Sequence, residues 1–184
     1  MLDANHGYDT VDAIKLGQQV EELDIGWFEE PVAPEDLDGY CAIKAAINIP
    51  LAGGECEYTR FGFREILRRR AIDYLQPDTA AAGGLSECKK IADMANAFGV
   101  RYVPHVWGSG IGLAAALQLL AVLPHNPPGR RPWEPLLEFD RSEHPFRQAI
   151  MKKPIEHANG VVTIPDGPGL GIEIDRDALE SFKN

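Results

Sequence analysis

The stretch Ile25-Gly-Trp-Phe-Glu-Glu-Pro31 sets an acid at the end of a short apolar run and closes the run with a proline, the pattern of a buried strand with a charge at its carboxyl end. Working outward from Glu29, four more acid or base residues recur at intervals of 23 to 27 residues: Asp3, Glu55, Asp78 and His105. Such an interval holds one strand and one returning helix. Pro50-Leu-Ala precedes Glu55, Tyr74-Leu75 precedes Asp78, and Tyr102-Val103 precedes His105. Each of the five therefore belongs at a strand's carboxyl end, and a ring of parallel strands brings all five to one rim, where such barrels carry their chemistry.

The segments between the rim residues read as helices. Asp9 or Thr10 is placed to cap a helix with Ala13, Leu16, Val20 and Leu23 on one face, and strand 25–29 follows. Glu35 and Asp36 favour the start of the next helix, whose stripe is Leu37, Tyr40, Ile43 and Ile47. Strand 50–55, a helix near 59–69, strand 71–77, a helix near 84–98 and strand 100–104 continue the alternation. Ser109 can cap a helix over 111–122 that is apolar on nearly every side, which predicts burial from more than one direction, by a subunit contact or a second domain. Residues 124–132 are a loop by composition, and Leu136-Leu-Glu-Phe-Asp140 resembles one more strand end. From 141 onward only an isolated strand over 160–165 and a short helix over 177–183 are expected.

This pattern predicts an α/β fold: a truncated (β/α) barrel of the TIM-like (β/α)8 type with about six strands over 1–140, and a C-terminal extension over 141–184. An open doubly wound sheet is the alternative, but it collects its site at one switch point, and five rim residues on five successive strands suit a closed ring better. At 184 residues the chain is short for the roughly 250 of a complete barrel, so the first strands are expected to be missing.

A net charge of −10 argues against nucleic acid, which needs a basic face; the one dense basic cluster, Arg68-Arg69-Arg70, closes a predicted helix, where cations suit the dipole. No run is long enough to cross a bilayer, and the first residues carry no secretory signal, so a cytoplasmic protein is expected. Cys41, Cys56 and Cys88 have no metal-type spacing and read as reduced thiols, with Cys56 beside the rim.

Three carboxylates converging from neighbouring strands, Asp3, Glu29 and Glu55, cannot all stay ionised without a cation between them. An all-oxygen donor set from strand ends suits Mg2+ better than zinc. Any one of these acids alone would read as a solvated loop residue; the shared spacing favours a metal site. On the next strands, Asp78 can accept a hydrogen bond from the ring of His105, fixing its tautomer and raising its basicity. His105 alone would read as a structural histidine in Val-Pro-His-Val-Trp. A cation facing an Asp–His pair is an arrangement for taking a proton beside a carboxylate and stabilising the enediolate. Ala82-Gly-Gly-Leu and Asp166-Gly-Pro-Gly-Leu-Gly171 lack the lysine and hydroxyl of a phosphate-binding loop and read as turns.

Taken together, Asp3-Ala-Asn5, Trp27-Phe-Glu-Glu-Pro31, Gly53-Gly-Glu55, Gln76-Pro-Asp78 and Val103-Pro-His105 resemble the mandelate racemase subgroup of the enolase superfamily, also called the mandelate racemase/muconate lactonizing enzyme family. The resemblance implies the enolase C-terminal barrel, with Asp3, Glu29 and Glu55 as Mg2+ ligands and Asp78 with His105 as the acid/base dyad. It also implies Glu138 as the acid that hydrogen-bonds the substrate carboxylate, and Asn5 and Trp107 as substrate contacts. Asp3-Ala-Asn-His-Gly-Tyr8, His105-Val-Trp-Gly and Glu138-Phe-Asp-Arg are most similar to acid-sugar dehydratases and lactone cycloisomerases, while Cys56-Glu57-Tyr58 departs from them.

Members of that family carry an N-terminal capping domain and an opposite-face lysine base, neither of which this chain shows, so it is expected to be the C-terminal part of a longer enzyme. A homo-oligomer is expected, since an open barrel edge must be covered. The resemblance predicts elimination on an acid sugar or its lactone. Racemisation of a 2-hydroxy acid is the second reading, and a catalytically silent module that assembles with other chains is the third.

Overall fold

Five short apolar runs become five parallel strands, β1 (Leu2–Asp3), β2 (Phe28–Glu29), β3 (Leu51–Gly53), β4 (Tyr74–Leu75) and β5 (Arg101–Tyr102), paired in that order. The computed structural model describes residues 1–123 and 133–183, and the chain divides into two compact units, Met1–Val103 and Pro104–Asn184. Strand order never reverses across the sheet, so these five strands contain no switch point of the doubly wound kind. Sequential parallel pairing is what a barrel wall requires.

Register divides the side chains between two faces, because successive residues of a strand point opposite ways. Phe28 pairs with Leu51 and Leu75 with Tyr102, placing four buried side chains on one face. The other face carries Asp3, Glu29, Ala52, Tyr74 and Arg101 in one row. Along that face Trp27, Ala52 and Val103 form a small core with Tyr74 packed against it, the Trp27 and Tyr74 rings lying 5.1 Å apart. Such a layer of inward side chains fills a barrel wall rather than leaving a pore.

Helices α1 (Thr10–Val20), α2 (Leu37–Ala46), α3 (Thr59–Arg69) and α4 (Gly84–Phe98) return the chain between strands. Asp9 caps α1 by accepting from the Asp12 amide at 2.9 Å, and Asp36 caps α2 by accepting from the Gly39 amide at 2.8 Å. The predicted stripe of α3 is buried at Phe63, Ile66 and Leu67, each such side chain contributing about 1.5–3 kcal/mol. Arg68 pairs with Glu65 and Arg69 with Asp38, so two members of the basic cluster at its end are occupied by acids.

In the second unit, α5 (Gly110–Leu120) buries Leu113, Ala114 and Leu117 against Ile150, Met151 and Ile155, with Leu137, Phe139 and Leu170 packed around them. Gln118 reinforces this packing: its amide nitrogen donates to the carbonyls of Pro165 at 2.6 Å and Leu170 at 3.2 Å. The C-terminal segment thus covers part of the all-apolar helix from within the same chain. Its elements are α6 (Pro145–Ala149), the hairpin of β6 (His157–Ala158) with β7 (Val161–Val162), and α7 (Arg176–Ser181). Strand–helix alternation stops earlier than the sequence pattern implies, because residues 136–140 run without regular structure. Ser109 stands at the N-cap of α5, but its side chain makes no capping bond. The expected loop at 124–132 lies outside the described residues. Among the described residues no helix is long and apolar enough to cross a membrane, and the three cysteines are free.

Candidate active site

Asp3 and Glu29 are direct partners across β1 and β2, so their carboxylates project from the same face at the carboxyl ends of adjacent strands. The two differ in exposure. Asp3 is exposed and accepts from the Asn5 amide at 2.8 Å, a tight turn that also fixes where Asn5 begins. Glu29 is buried and accepts from the Trp27 indole N–H at 2.7 Å. Glu55 follows β3 by two residues, after Gly54 at φ +120, where a Cβ would sit 2.9 Å from the Phe63 ring. Only glycine turns the chain there without strain.

Burial first, and then the nearby Glu30, Cys56, Glu29 and Glu55, push the Tyr40 phenol well above its ordinary value. The ends of β2 and β3 therefore add an anionic field to that burial. That field, with an all-carboxylate donor set from three successive strands, fits a hard divalent cation.

A further group of ligand-type atoms gathers at this rim. Among the described residues, ligand-type atoms of His6, Glu30 and Cys56 lie within 4.8 Å of one another. His6 Nε2 is 3.0 Å from a Glu30 carboxylate oxygen and 3.7 Å from Cys56 Sγ. Glu30 is 1% exposed and packs toward the Leu51 face, its Cγ 3.7 Å from where a Cβ on Gly53 would sit. Burial, then the surrounding Glu30, Glu55, Glu57 and Glu35, push the Cys56 thiol up. Asn5, His6 and Glu30 all have positive φ, at 43°, 62° and 39°, a conformation that side chains with a Cβ adopt at a cost.

Asp78 lies in the first unit, three residues past β4, where its carboxylate accepts from the amides of Ala80 at 2.7 Å and Ala81 at 3.2 Å. His105 lies in the second unit and is partly buried. Next to it, the Val106 amide donates to a Glu138 carboxylate oxygen at 3.0 Å, which brings Glu138 to the His105–Trp107 segment. Trp107 is 68% exposed and meets the His144 ring edge-on.

Buried Arg147 holds these two segments together. Its Nε donates to the Gly108 carbonyl at 3.1 Å and one terminal nitrogen to the Asp140 carbonyl at 3.1 Å, while the other pairs with the Asp140 carboxylate. Burial raises Asp140, but the Ser142 amide and hydroxyl and the Arg147 charge outweigh it and hold the carboxyl below its usual range. Sequence reasoning missed Trp27, Glu30 and Arg147 as supports.

Comparison with known proteins gives a consistent set of relatives. The family described as enolase C-terminal domain-like matches residues 1–178. D-galactarolactone cycloisomerase of Agrobacterium fabrum is 54% identical over 183 residues, covering 100% of this chain and 48% of the relative. Arabinonate dehydratase of Saccharolobus solfataricus is 37% identical, covering 99% and 46%. The crystal structure of the 3,6-anhydro-D-galactonate cycloisomerase from Zobellia galactanivorans superposes with a TM-score of 0.90 at 43% identity, covering 99% of this chain and 49% of that one. The chain spans about half the length of the curated relatives it matches.

Proposed function

Because the chain belongs to the enolase C-terminal domain-like family, we propose that it supplies the metal-and-base half of an enzyme that eliminates a β oxygen from an acid sugar or its lactone, as a dehydratase or lactone cycloisomerase. The observation that carries this reading is the in-register pairing of Asp3 with Glu29, which puts two acids side by side at the rim with Glu55 following on the next strand. Those three carboxylates would hold Mg2+. When bound, the cation supplies positive charge beside the substrate carboxylate and so makes the α proton more acidic.

The chain's own residues would do the rest. Asn5 and Trp107 contact the substrate, and Glu138 hydrogen-bonds its carboxylate. His105 takes the α proton on its imidazole, with Asp78 holding the ring in the basic tautomer. Electrons from the broken C–H bond form the C=C bond and expel the β oxygen, which departs as water on taking the proton back from the His105 imidazolium in an acid sugar, or as the freed carboxylate when it is the ring oxygen of a lactone, and the enol becomes a keto-deoxy acid. The names of the relatives support acid sugars and their lactones as the substrate class; two of those relatives are a dehydratase and a cycloisomerase.

The test is turnover by the full-length polypeptide containing this chain, with Mg2+, over a panel of acid sugars and lactones. A keto-deoxy product or an isomerised lactone supports elimination. Exchange of the α proton in D2O without elimination would instead establish racemisation, and no exchange on any substrate would refute both.

A further inference from the structure

We propose that His6, Glu30 and Cys56 form a second metal site, distinct from the three-carboxylate site, that takes a borderline-soft divalent cation of the zinc type through nitrogen, oxygen and sulfur. The geometry is close to what such an ion imposes. A tetrahedral zinc about 2.0 Å from nitrogen and oxygen and about 2.3 Å from sulfur sets N···O near ~3.3 Å and N···S near ~3.5 Å. The corresponding separations here are 3.0 Å from His6 Nε2 to Glu30 Oε2 and 3.7 Å from His6 Nε2 to Cys56 Sγ. Each of these two separations is within a few tenths of an ångström of that geometry, and all three ligand atoms lie within 4.8 Å of one another.

The three ligands are also pinned by separate elements. The His6 amide donates to the Glu30 carbonyl at 2.9 Å, tying the turn after β1 to the end of β2. Cys56 sits in the turn after β3, where the Glu57 amide donates to the Gly54 carbonyl at 3.1 Å. Non-glycine residues at positive φ hold His6 and Glu30 in this arrangement, a cost that a plain surface ion pair would not require.

Donor chemistry separates this site from the first. Glu29 stands in the row with Asp3 and Ala52, whereas the Glu30 side chain lies toward the face of Leu51, its Cγ 3.7 Å from where a Cβ on Gly53 would sit. A thiol and an imidazole disfavour Mg2+, which selects oxygen, and favour zinc or cobalt. Three protein ligands leave a fourth position for water, and exposed Cys56 provides the entry path. This inference does not depend on the proposed reaction, since it concerns residues given no part in it.

The test is titration of the full chain with Co2+ and then Zn2+ in saturating Mg2+, read by absorption and calorimetry. We expect one Co2+ per chain with a thiolate-to-cobalt charge-transfer band, displaced by zinc. Cys56→Ser should abolish the band and weaken zinc binding by tenfold or more, and His6→Gln should weaken it similarly, while Cys41→Ser should leave both intact. Both Cys56 and His6 lie outside the fully buried core, so the variants are expected to fold, which circular dichroism checks. Absence of the band in the unaltered chain, or a band and zinc affinity unchanged in Cys56→Ser, would overturn the proposal and leave His6–Glu30 as an ion pair with a bystander thiol.

Discussion

Replacing Trp27 by phenylalanine tests how the rim carboxylate Glu29 is held. The substitution keeps an aromatic ring against Tyr74 but removes the indole N–H that donates to Glu29 at 2.7 Å, between residues that are 4% and 9% exposed. A hydrogen bond to a charged group contributes about 1.5–3 kcal/mol, and its loss leaves a buried carboxylate oxygen without its donor. The smaller ring adds a cavity cost on the order of 1 kcal/mol. Trp27→Phe should therefore lower stability by about 2.5–4 kcal/mol, measured by urea denaturation in metal-free buffer.

A double-mutant cycle with Glu29→Gln separates the two contributions, since the cavity cost is common to both backgrounds. The coupling energy should be about 1–2 kcal/mol. The same substitution should weaken Mg2+ binding by roughly 10- to 100-fold, because the indole orients the proposed ligand Glu29. A coupling energy below about 0.5 kcal/mol, with unchanged Mg2+ affinity, would refute the reasoning.

Asp140, held below the usual carboxylate range, contributes stability above its unfolded value near ~4 and loses it as pH falls through its lower folded value. The urea midpoints of the protein and of Asp140→Asn should thus differ at neutral pH and converge at strongly acid pH. Arg147→Met removes the partner of that carboxylate and the donor to three backbone carbonyls, and should cost about 3–5 kcal/mol by the same assay. Gly110→Ala should cost about 1–3 kcal/mol in thermal or urea unfolding, because its Cβ would lie 2.8 Å from the Arg147 carbonyl and also crowd Met151. His105→Asn should lower turnover by about 10²–10⁴-fold without changing Mg2+ affinity, measured by steady-state kinetics and calorimetry on the full-length enzyme.

The barrel wall was legible because strand period and helix period alternate at a nearly constant interval, and because capping residues stand where they can act: Asp9 and Asp36 both cap as their positions imply. Strand lengths were not. Expected runs of five to seven residues contract to two or three paired residues, because ladder bonds form only where the twisted neighbours stay in register. The segment 136–140 has the composition of a strand end but no ladder partner. Instead Glu138 accepts from a loop amide, and Arg147 binds the Asp140 carbonyl. Spacing could locate Asp3 and Glu29 because strand register preserves it. It could not find the His6–Glu30–Cys56 group, which depends on which face each side chain leaves after its strand ends, and there the backbone turns through positive φ.

The most direct measurement for the central claim is Mg2+ binding to the full-length polypeptide and to its Asp3→Asn, Glu29→Gln and Glu55→Gln variants by calorimetry, with folding of each confirmed by circular dichroism. The rim described here predicts one tightly bound Mg2+ per chain and a loss of affinity of 100-fold or more in each variant. Equal affinity in all four folded proteins would contradict it.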